Sequence, residues 1–280
     1  MAFGLLVIGD EILSGKRADQ HMPKVIELLA ARGLSLAWAR YVGDDPARIT
    51  ADLQDAFASG DIVFSCGGIG ATPDDHTRQC AAQALGVPLG LHPVARDLII
   101  ERMRDVAAEK GVVFDPERAD NVHRLNMAVF PQGADIIPNP YNKIAGFSLR
   151  SSVTSDTGPG AVYFVPGFPV MAWPMIEWVL DQRCAHLHRA QGQREQSVIV
   201  MGAMEATLTP LMEAIEAQHP EVKVFSLPSV AHPQWGAHIE LGVKGEAAAV
   251  VTAYTMLMQG LREQAARLGP ELVRQTNIAP

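Results

Sequence analysis

Three acidic pairs stand out by where they fall. Asp10-Glu11, Asp44-Asp45 and Asp74-Asp75 each come soon after an apolar run, and the third lies in the segment SCGGIGATPDDHT, Ser65 to Thr77. The glycines of that segment, Gly67, Gly68 and Gly70, offer backbone amides to an anion, while the carboxylates beside them repel one. Both features serve one site if a hard divalent cation lies between them. Crowded carboxylates raise one another's pKa until positive charge intervenes, and such cations take oxygen ligands. The pattern therefore suggests a phosphate held by amides and a metal held by Asp10, Glu11, Asp44, Asp74 or Asp75, the metal bridging the two. Lys16 and Arg17, after Leu13-Ser14-Gly15, are either further neutralising charges for that phosphate or solvated loop cations.

A local reading of the same residues stands beside this one. Thr72 suits a helix N-cap, Pro73 the first helical position, and Asp75 the acidic half of a capping box. Asp45-Pro46 is an equally good cap for a preceding helix, and the glycines permit a tight turn with positive φ. The GGxG spacing is not the GxGxxG of dinucleotide-binding loops, and no lysine follows in Walker-A register. Ser14 lacks a nucleophile elbow, and the isolated His21, His76 and His123 are assigned no role.

Positioning these residues takes an alternation of strands and helices. Leu5 to Ile8 is a continuous apolar run, as expected of a central strand in a parallel sheet. Helical spacing over Met22 to Arg32, a strand at Leu36 to Val42, a helix at Pro46 to Ala58, a strand at Ile62 to Ser65 and a helix at Pro73 to Leu85 continue the pattern. It signals an α/β layer fold with right-handed crossovers, in which the segments after the strands share one edge. Helices at Val94 to Lys110 and Pro116 to Ala128 follow. Strands are expected at Asp135 to Ile137, Ile144 to Leu149 and Val162 to Val165, the last two separated by the polar segment Ser151 to Gly160, and then a helix toward Cys184.

The polar stretch Gln191 to Gln196 marks a boundary between a domain of residues 1–190 and a small one of residues 191–270. In the latter, strands at Ser197 to Met201, Val222 to Leu227 and Ala237 to Val243, with helices at Leu208 to Gln218 and Ala247 to Leu268, make a β-α-β-β-α unit; residues 271–280 read as a loose tail. Gly242-Val243-Lys244-Gly245 matches the GXXG of nucleic-acid-binding KH domains, but it lies between a strand and a helix rather than between two helices.

The chain has 280 residues and a formal net charge of −8, which argues against nucleic acid and anionic membrane as partners and favours small-molecule chemistry. Cys66, Cys80 and Cys184 show no metal-finger or CxxC spacing, so neither a disulfide framework nor structural zinc is expected, and a cytoplasmic location fits. The run Phe3 to Ile8 is too short for a membrane span and lacks signal-peptide flanks.

Taken in order, Gly9-Asp10-Glu11-Ile12-Leu13-Ser14-Gly15, Val42-Gly43-Asp44-Asp45, Gly67 to Thr77, Asn139-Pro140 and Pro166-Gly167-Phe168-Pro169 resemble the N-terminal domain of the competence/damage-inducible protein A (CinA) family, within the wider molybdopterin-binding fold. The resemblance covers most of residues 1 to about 185, and the unit after it is similar to that family's small middle domain. It implies a three-layer α/β domain with a mostly parallel sheet, plus a small α+β domain. It also implies metal-dependent cleavage of ADP-ribose or a related nucleotide diphosphate, with magnesium, manganese or cobalt as cofactor. Asp10, Glu11, Asp44 and Asp75 are then the catalytic acids, and Ser14, Gly15, Lys16, Gly67, Gly68, Gly70, Thr72, Pro166 and Gly167 the substrate contacts. The alternative it implies is a molybdopterin- or nucleotide-binding protein without hydrolase activity. A homodimer is the expected assembly. The sequence departs from the family's usual residues at Cys66, Ala71 and Asp19-Gln20-His21, where Thr, Pro and Asp-Thr-Asn are common, and it leaves no room for the amidase domain of longer relatives.

Overall fold

The run Phe3–Ile8 is buried along its whole length and becomes β1, the strand from which the sheet is laid out in both directions. The structure, a computed structural model, describes residues 1–155, 158–189 and 193–275. The chain divides into two units, one of residues 1–29 and 35–187 and the other of residues 30–34 with the chain from 188 onward.

In the first unit β1 is followed by α1 (Asp10–Leu13), α2 (His21–Ala30), β2 (Leu36–Val42), α3 (Pro46–Ser59), β3 (Ile62–Cys66), α4 (Thr77–Leu85) and β4 (Leu89–Leu91). Then come α5 (Pro93–Glu109), α6 (Ala119–Leu125), β5 (Val129–Pro131), β6 (Asp135–Ile137), β7 (Gly146–Ser155), β8 (Gly158–Val165) and α7 (Pro169–Gln182). The sheet has the order β2-β1-β3-β8-β7-β6, with parallel pairing from β2 through β8 and β7 antiparallel to both neighbours. This is the expected mostly parallel α/β sheet. Because the chain goes from β1 to β2 on one side and then to β3 on the other, right-handed crossovers place α2 and α3 on opposite faces. A crevice must open where the order reverses, at the carboxyl ends of β1 and β3.

One face of the sheet packs Leu6, Ile8, Val63, Val162 and Phe164 against Ile49, Leu53 and Phe57 of α3 and Ile99 and Met103 of α5. Phe130, Phe147 and Phe164 form a ladder on it, with ring centroids 4.6 Å and 4.4 Å apart. At the opposite end of the strands from the crevice, Asp61 accepts from the Ala2 amide at 2.8 Å and from Trp38 Nε1 at 3.0 Å, tying the starts of β1, β2 and β3 together.

Several boundaries differ from the sequence reading. Helix α4 starts at Thr77 rather than Pro73, because the Thr77 amide bonds to the Gly68 carbonyl (3.0 Å) instead of the Pro73 carbonyl a helix would need. The expected helix Pro116 to Ala128 is α6 plus a 3₁₀ turn, Asn126–Ala128, since Asp115 accepts from the Glu117 amide and holds the chain in a turn before it. The short pair β4–β5 carries too little alternation to be read. Strands β7 and β8 extend into the supposed Ser151 to Gly160 spacer as a hairpin, whose residues 156–157 lie outside the described residues.

The second unit runs β9 (Gln193–Met201), α8 (Glu205–Gln218), β10 (Val222–His232), β11 (Gly236–Glu246), α9 (Ala247–Glu263) and β12 (Arg267–Gln275), in an antiparallel sheet of order β10-β11-β9-β12. Val198, Val200, Leu241 and Val243 meet Leu208 and Ile215 of α8 and Val250, Leu257 and Leu261 of α9 on one face. The chain leaves α9 at Ala265, whose φ is +54°, rather than continuing to Leu268. Residues Glu271 to Gln275 are therefore strand, not loose tail; residues 276–280 lie outside the described residues. The polar residues Gln193 to Gln196 belong to β9, where Glu195 pairs with Arg274 of β12 at 2.6 Å. Gly242 to Gly245 lies within β11, paired on both sides, so the GXXG match is strand and not a KH loop. Among the described residues no helix is long and apolar enough to cross a membrane.

Phe147 sits between two rings and is fully buried. Phe147→Ala should cost roughly 3–5 kcal/mol in the first unit's unfolding free energy. Urea denaturation followed by near-UV circular dichroism checks this, and a loss below about 1 kcal/mol would mean that the ladder is not a principal packing element.

Candidate functional site

Each acidic pair follows a strand of the parallel sheet, so β1, β2 and β3 bring them to one edge. Gly9-Asp10 leaves β1, Gly43-Asp44 leaves β2, and Gly67-Gly68 leaves β3. Asp10 and Asp44 are locked to each other through their backbones: the Asp10 amide donates to Asp44 Oδ2 at 3.0 Å, and the Asp44 amide donates to Asp10 Oδ1 at 3.2 Å. One oxygen of each carboxylate is so used and the other is left. Partial burial pushes the Asp44 carboxyl above its ordinary pKa, and the negative charges of Asp10, Glu11 and Asp74 push it the same way. Asp10, Glu11, Asp44 and Asp74 thus act on one another at one edge.

Asp45 behaves differently from its neighbour. It is the N-cap of α3, accepting from the Ala47 and Arg48 amides with Pro46 first in the helix, as the local reading expects. Asp75 also separates from Asp74. Its Oδ2 accepts from the Thr72 amide at 2.8 Å and the Thr72 hydroxyl at 2.6 Å, which keeps half of the expected capping box in a turn that no helix continues. The Thr72 hydroxyl also lies close enough to Asp74 to pull that exposed carboxyl below its ordinary range.

The glycine loop offers fewer amides at one point and more at another than its sequence suggests. Gly67, at φ +110°, gives its N–H to the Val165 carbonyl at 3.0 Å and so has none for a ligand; a Cβ there would strike the Ile8 carbonyl. Gly68, at φ +67°, turns the chain so that the Thr77 amide and hydroxyl hold the carbonyls of Gly68 and Gly67 (3.0 and 3.1 Å). The following amides, Gly68, Ile69 and Gly70, donate to nothing within the described residues. Successive uncommitted N–H groups of this kind form an anion-binding concavity.

Beside these acids opens a cleft of about 330 Å³ lined by Val7, Ile8, Glu11, Ile12, Arg17, Ala18, Gln20, His21, Cys66, Gly167 and Pro169. It lies at the β1/β3 switch point that the strand order requires. Its floor is apolar, and its charged groups are Glu11 and Arg17, whose guanidinium sits 6.0 Å from the Phe168 ring centroid. Gly167 lines it and Pro166 precedes it; Ser14, Gly15 and Lys16 are exposed in the turn after α1 and do not line it. Burial pushes the Cys66 thiol far up, so it is a packing residue and not a nucleophile.

His21 belongs to this cleft although its sequence context assigns it nothing. It is 4% exposed, its Nε2 lies 3.0 Å from the Gly167 carbonyl, and its Nδ1 is buried without a partner among the described residues. A carbonyl accepts, so Nε2 carries the proton and Nδ1 is an unpaired acceptor. Burial holds the imidazole below its ordinary pKa, against the opposing pull of Gly167 and Asp19. Asp19 caps α2 through the His21 and Met22 amides and accepts from Tyr41 Oη at 2.8 Å, which fixes the ring's approach. The departure at Asp19-Gln20-His21 from the resembled family was the available signal.

The donor set suits a hard cation: carboxylate oxygens, two of them fixed by backbone bonds. Among the described residues no three His, Cys, Asp or Glu side chains converge as a ready-made metal cage. Magnesium-type ions are commonly held by one or two carboxylates, with water and substrate phosphate oxygens completing the shell, and Asp10 with Asp44 fits that arrangement.

Comparison with known proteins identifies the family and the fold. Residues 4–186 match the family described as "Probable molybdopterin binding domain". A CinA-like protein of Anaeromyxobacter sp. (strain K) is 31% identical over 261 residues, 90% of this chain and 57% of that protein. The chain thus spans little more than half the length of that relative. A Pyrobaculum aerophilum protein is 28% identical over 257 residues, with 89% of each chain covered. The crystal structure of the protein CinA, of unknown function, from Thermoplasma acidophilum superposes with a TM-score of 0.51 at 24% identity, over 65% of this chain and 98% of that one, a likeness of fold.

Two stability changes follow from the electrostatics. His21 titrates in the folded state below its ordinary value of 6.5, so as pH falls through that value the unfolded chain takes up a proton that the folded chain refuses. Stability therefore drops on acidification, and His21→Gln should flatten the thermal midpoint between about pH 7 and pH 5; an unchanged slope would contradict it. Asp44 titrates above its ordinary value, so its ionisation destabilises the ligand-free fold as pH rises through that higher pKa. Asp44→Asn, which keeps an acceptor for the Asp10 amide, should raise the thermal midpoint at neutral pH, as differential scanning fluorimetry would record.

Proposed function

Since the chain belongs to the family of probable molybdopterin-binding domains, we propose that its acidic, glycine-lined crevice binds a nucleotide diphosphate such as ADP-ribose and hydrolyses the pyrophosphate with the help of a divalent cation. The observation that carries the reading is the reciprocal Asp10–Asp44 lock at the same sheet edge as the uncommitted amides of Gly68, Ile69 and Gly70. Fixed carboxylate oxygens and free N–H groups are the two halves of a site for a metal-bound phosphate.

In this reading Asp10 and Asp44 hold the cation, and Asp74 adds negative charge beside them. Magnesium, manganese or cobalt supplies charge neutralisation for the pyrophosphate and a more acidic water. The Gly68, Ile69 and Gly70 amides take non-bridging oxygens of a phosphate. Glu11, at the boundary of acids and cleft, accepts the proton of the attacking water as the bridging P–O bond breaks, leaving AMP and ribose 5-phosphate. The apolar floor and Arg17 receive a nucleoside end. Asp75 acts by holding Thr72 and the loop, not as a ligand to the cation.

The family's description favours one other reading, molybdopterin binding without cleavage, in which the same amides hold the pterin phosphate. Product analysis separates the two. Incubation with ADP-ribose and magnesium, manganese or cobalt should give AMP and ribose 5-phosphate, abolished by chelation and by Asp44→Asn. Tight pterin binding with no cleavage in any metal would replace the hydrolase by the carrier.

A further inference from the structure

A second cleft, of about 370 Å³, lies on the far side of the glycine loop and shares no lining residue with the first. Thr72, Asp75, His76, Arg78, Leu89 and Asn126 are among its walls. Its unusual member is Arg78, 4% exposed in a protein whose other arginines mostly reach solvent or a carboxylate. Among the described residues Arg78 makes one side-chain hydrogen bond, from Nη1 to the Ile69 carbonyl, and no ion pair. Its other nitrogens are not among the sealed, unpartnered atoms of the described residues, and the residue lines the cleft.

A guanidinium carries five donors in a planar fork and cannot shed its charge, so burying it with most of them unused is costly unless an acceptor arrives. Asp75 does not serve. Its Oδ2 is committed to Thr72, and among the described residues it makes neither a hydrogen bond nor an ion pair with Arg78. The Thr72 hydroxyl is equally committed, while Asn126 and His76 add further polar groups at the wall.

We propose that this cleft is a second ligand site, in which the free edge of Arg78 holds a phosphate or carboxylate oxyanion of a small molecule. It is separate from the acidic crevice and does not depend on the hydrolase reading. Planar, bidentate capture of an oxyanion is the geometry for which a guanidinium edge is shaped.

The test is a titration of the isotopically labelled full chain with inorganic phosphate and, separately, acetate at constant ionic strength, followed by the Arg78 Nε–Hε resonance and by the Gly68 to Gly70 amides. A saturable shift at Arg78 is expected for at least one of them, and which one identifies the chemistry of the natural group. Leu89→Glu puts a carboxylate at the cleft wall, at a position 39% exposed and away from the loop's hydrogen bonds, and should weaken binding about ten-fold or more. Arg78→Lys keeps the charge but loses the fork and should weaken it likewise; if that variant does not fold, Leu89→Glu decides. Asp44→Asn should bind as the wild type does. Shifts confined to Gly68 to Gly70, no saturable shift at all, or undiminished binding by folded Leu89→Glu would overturn the proposal.

Discussion

The complete burial of β1 is the constraint on which the rest of the molecule depends. A strand covered on both faces must be central, and the chain then places β2 on one side of it and β3 on the other. That reversal puts α2 and α3 on opposite faces and leaves nothing over the carboxyl ends of β1 and β3. The cleft, the acids and the glycine loop all sit where that opening is. Asp61 secures the other end of the same three strands.

At that edge the physics is a balance between rigidity and repulsion. Asp10 and Asp44 are held by each other's amides, which stabilises the loops and at the same time brings like charges together. The Asp44 carboxyl is raised first by its burial and then by the charges of Asp10, Glu11 and Asp74, while the Asp10 amide works against the shift. Sites that hold a cation commonly show such tension, because the ligand and not the fold supplies the compensating charge. The His21 Nδ1 atom and the loop amides express the same condition in hydrogen bonds: groups the fold has desolvated or oriented without giving them partners.

The segment after β3 serves two sides of the molecule. Asp74 joins the acids of the crevice, while Asp75, one residue later, braces Thr72 at the wall of the other cleft. Thr77 and Arg78 hold the loop from behind through the carbonyls of Gly67, Gly68 and Ile69, and this support leaves the amides of Gly68 to Gly70 uncommitted. A short loop gains its shape here from side chains that come after it in sequence and stand behind it in space.

What the sequence determined by itself is what near neighbours decide. Burial of Leu5 to Ile8, the Asp45-Pro46 cap, the alternation of strands and helices, and the recurrence of acids after three strands are legible because propensity, capping and periodicity act over a few residues. That Asp75 braces Thr72 while Asp74 does not, and that Asp10 and Asp44 lock to each other, was not legible, since these bonds depend on what folds against each residue. Gly67 gives its amide to Val165 and Thr77 gives its own to Gly68, bonds that no local pattern foretells. The same holds for β12, whose segment Glu271 to Gln275 is a strand because β9 stands beside it. Tertiary structure decided these points because a backbone group has one partner at a time, and the partner is chosen by the path of the whole chain.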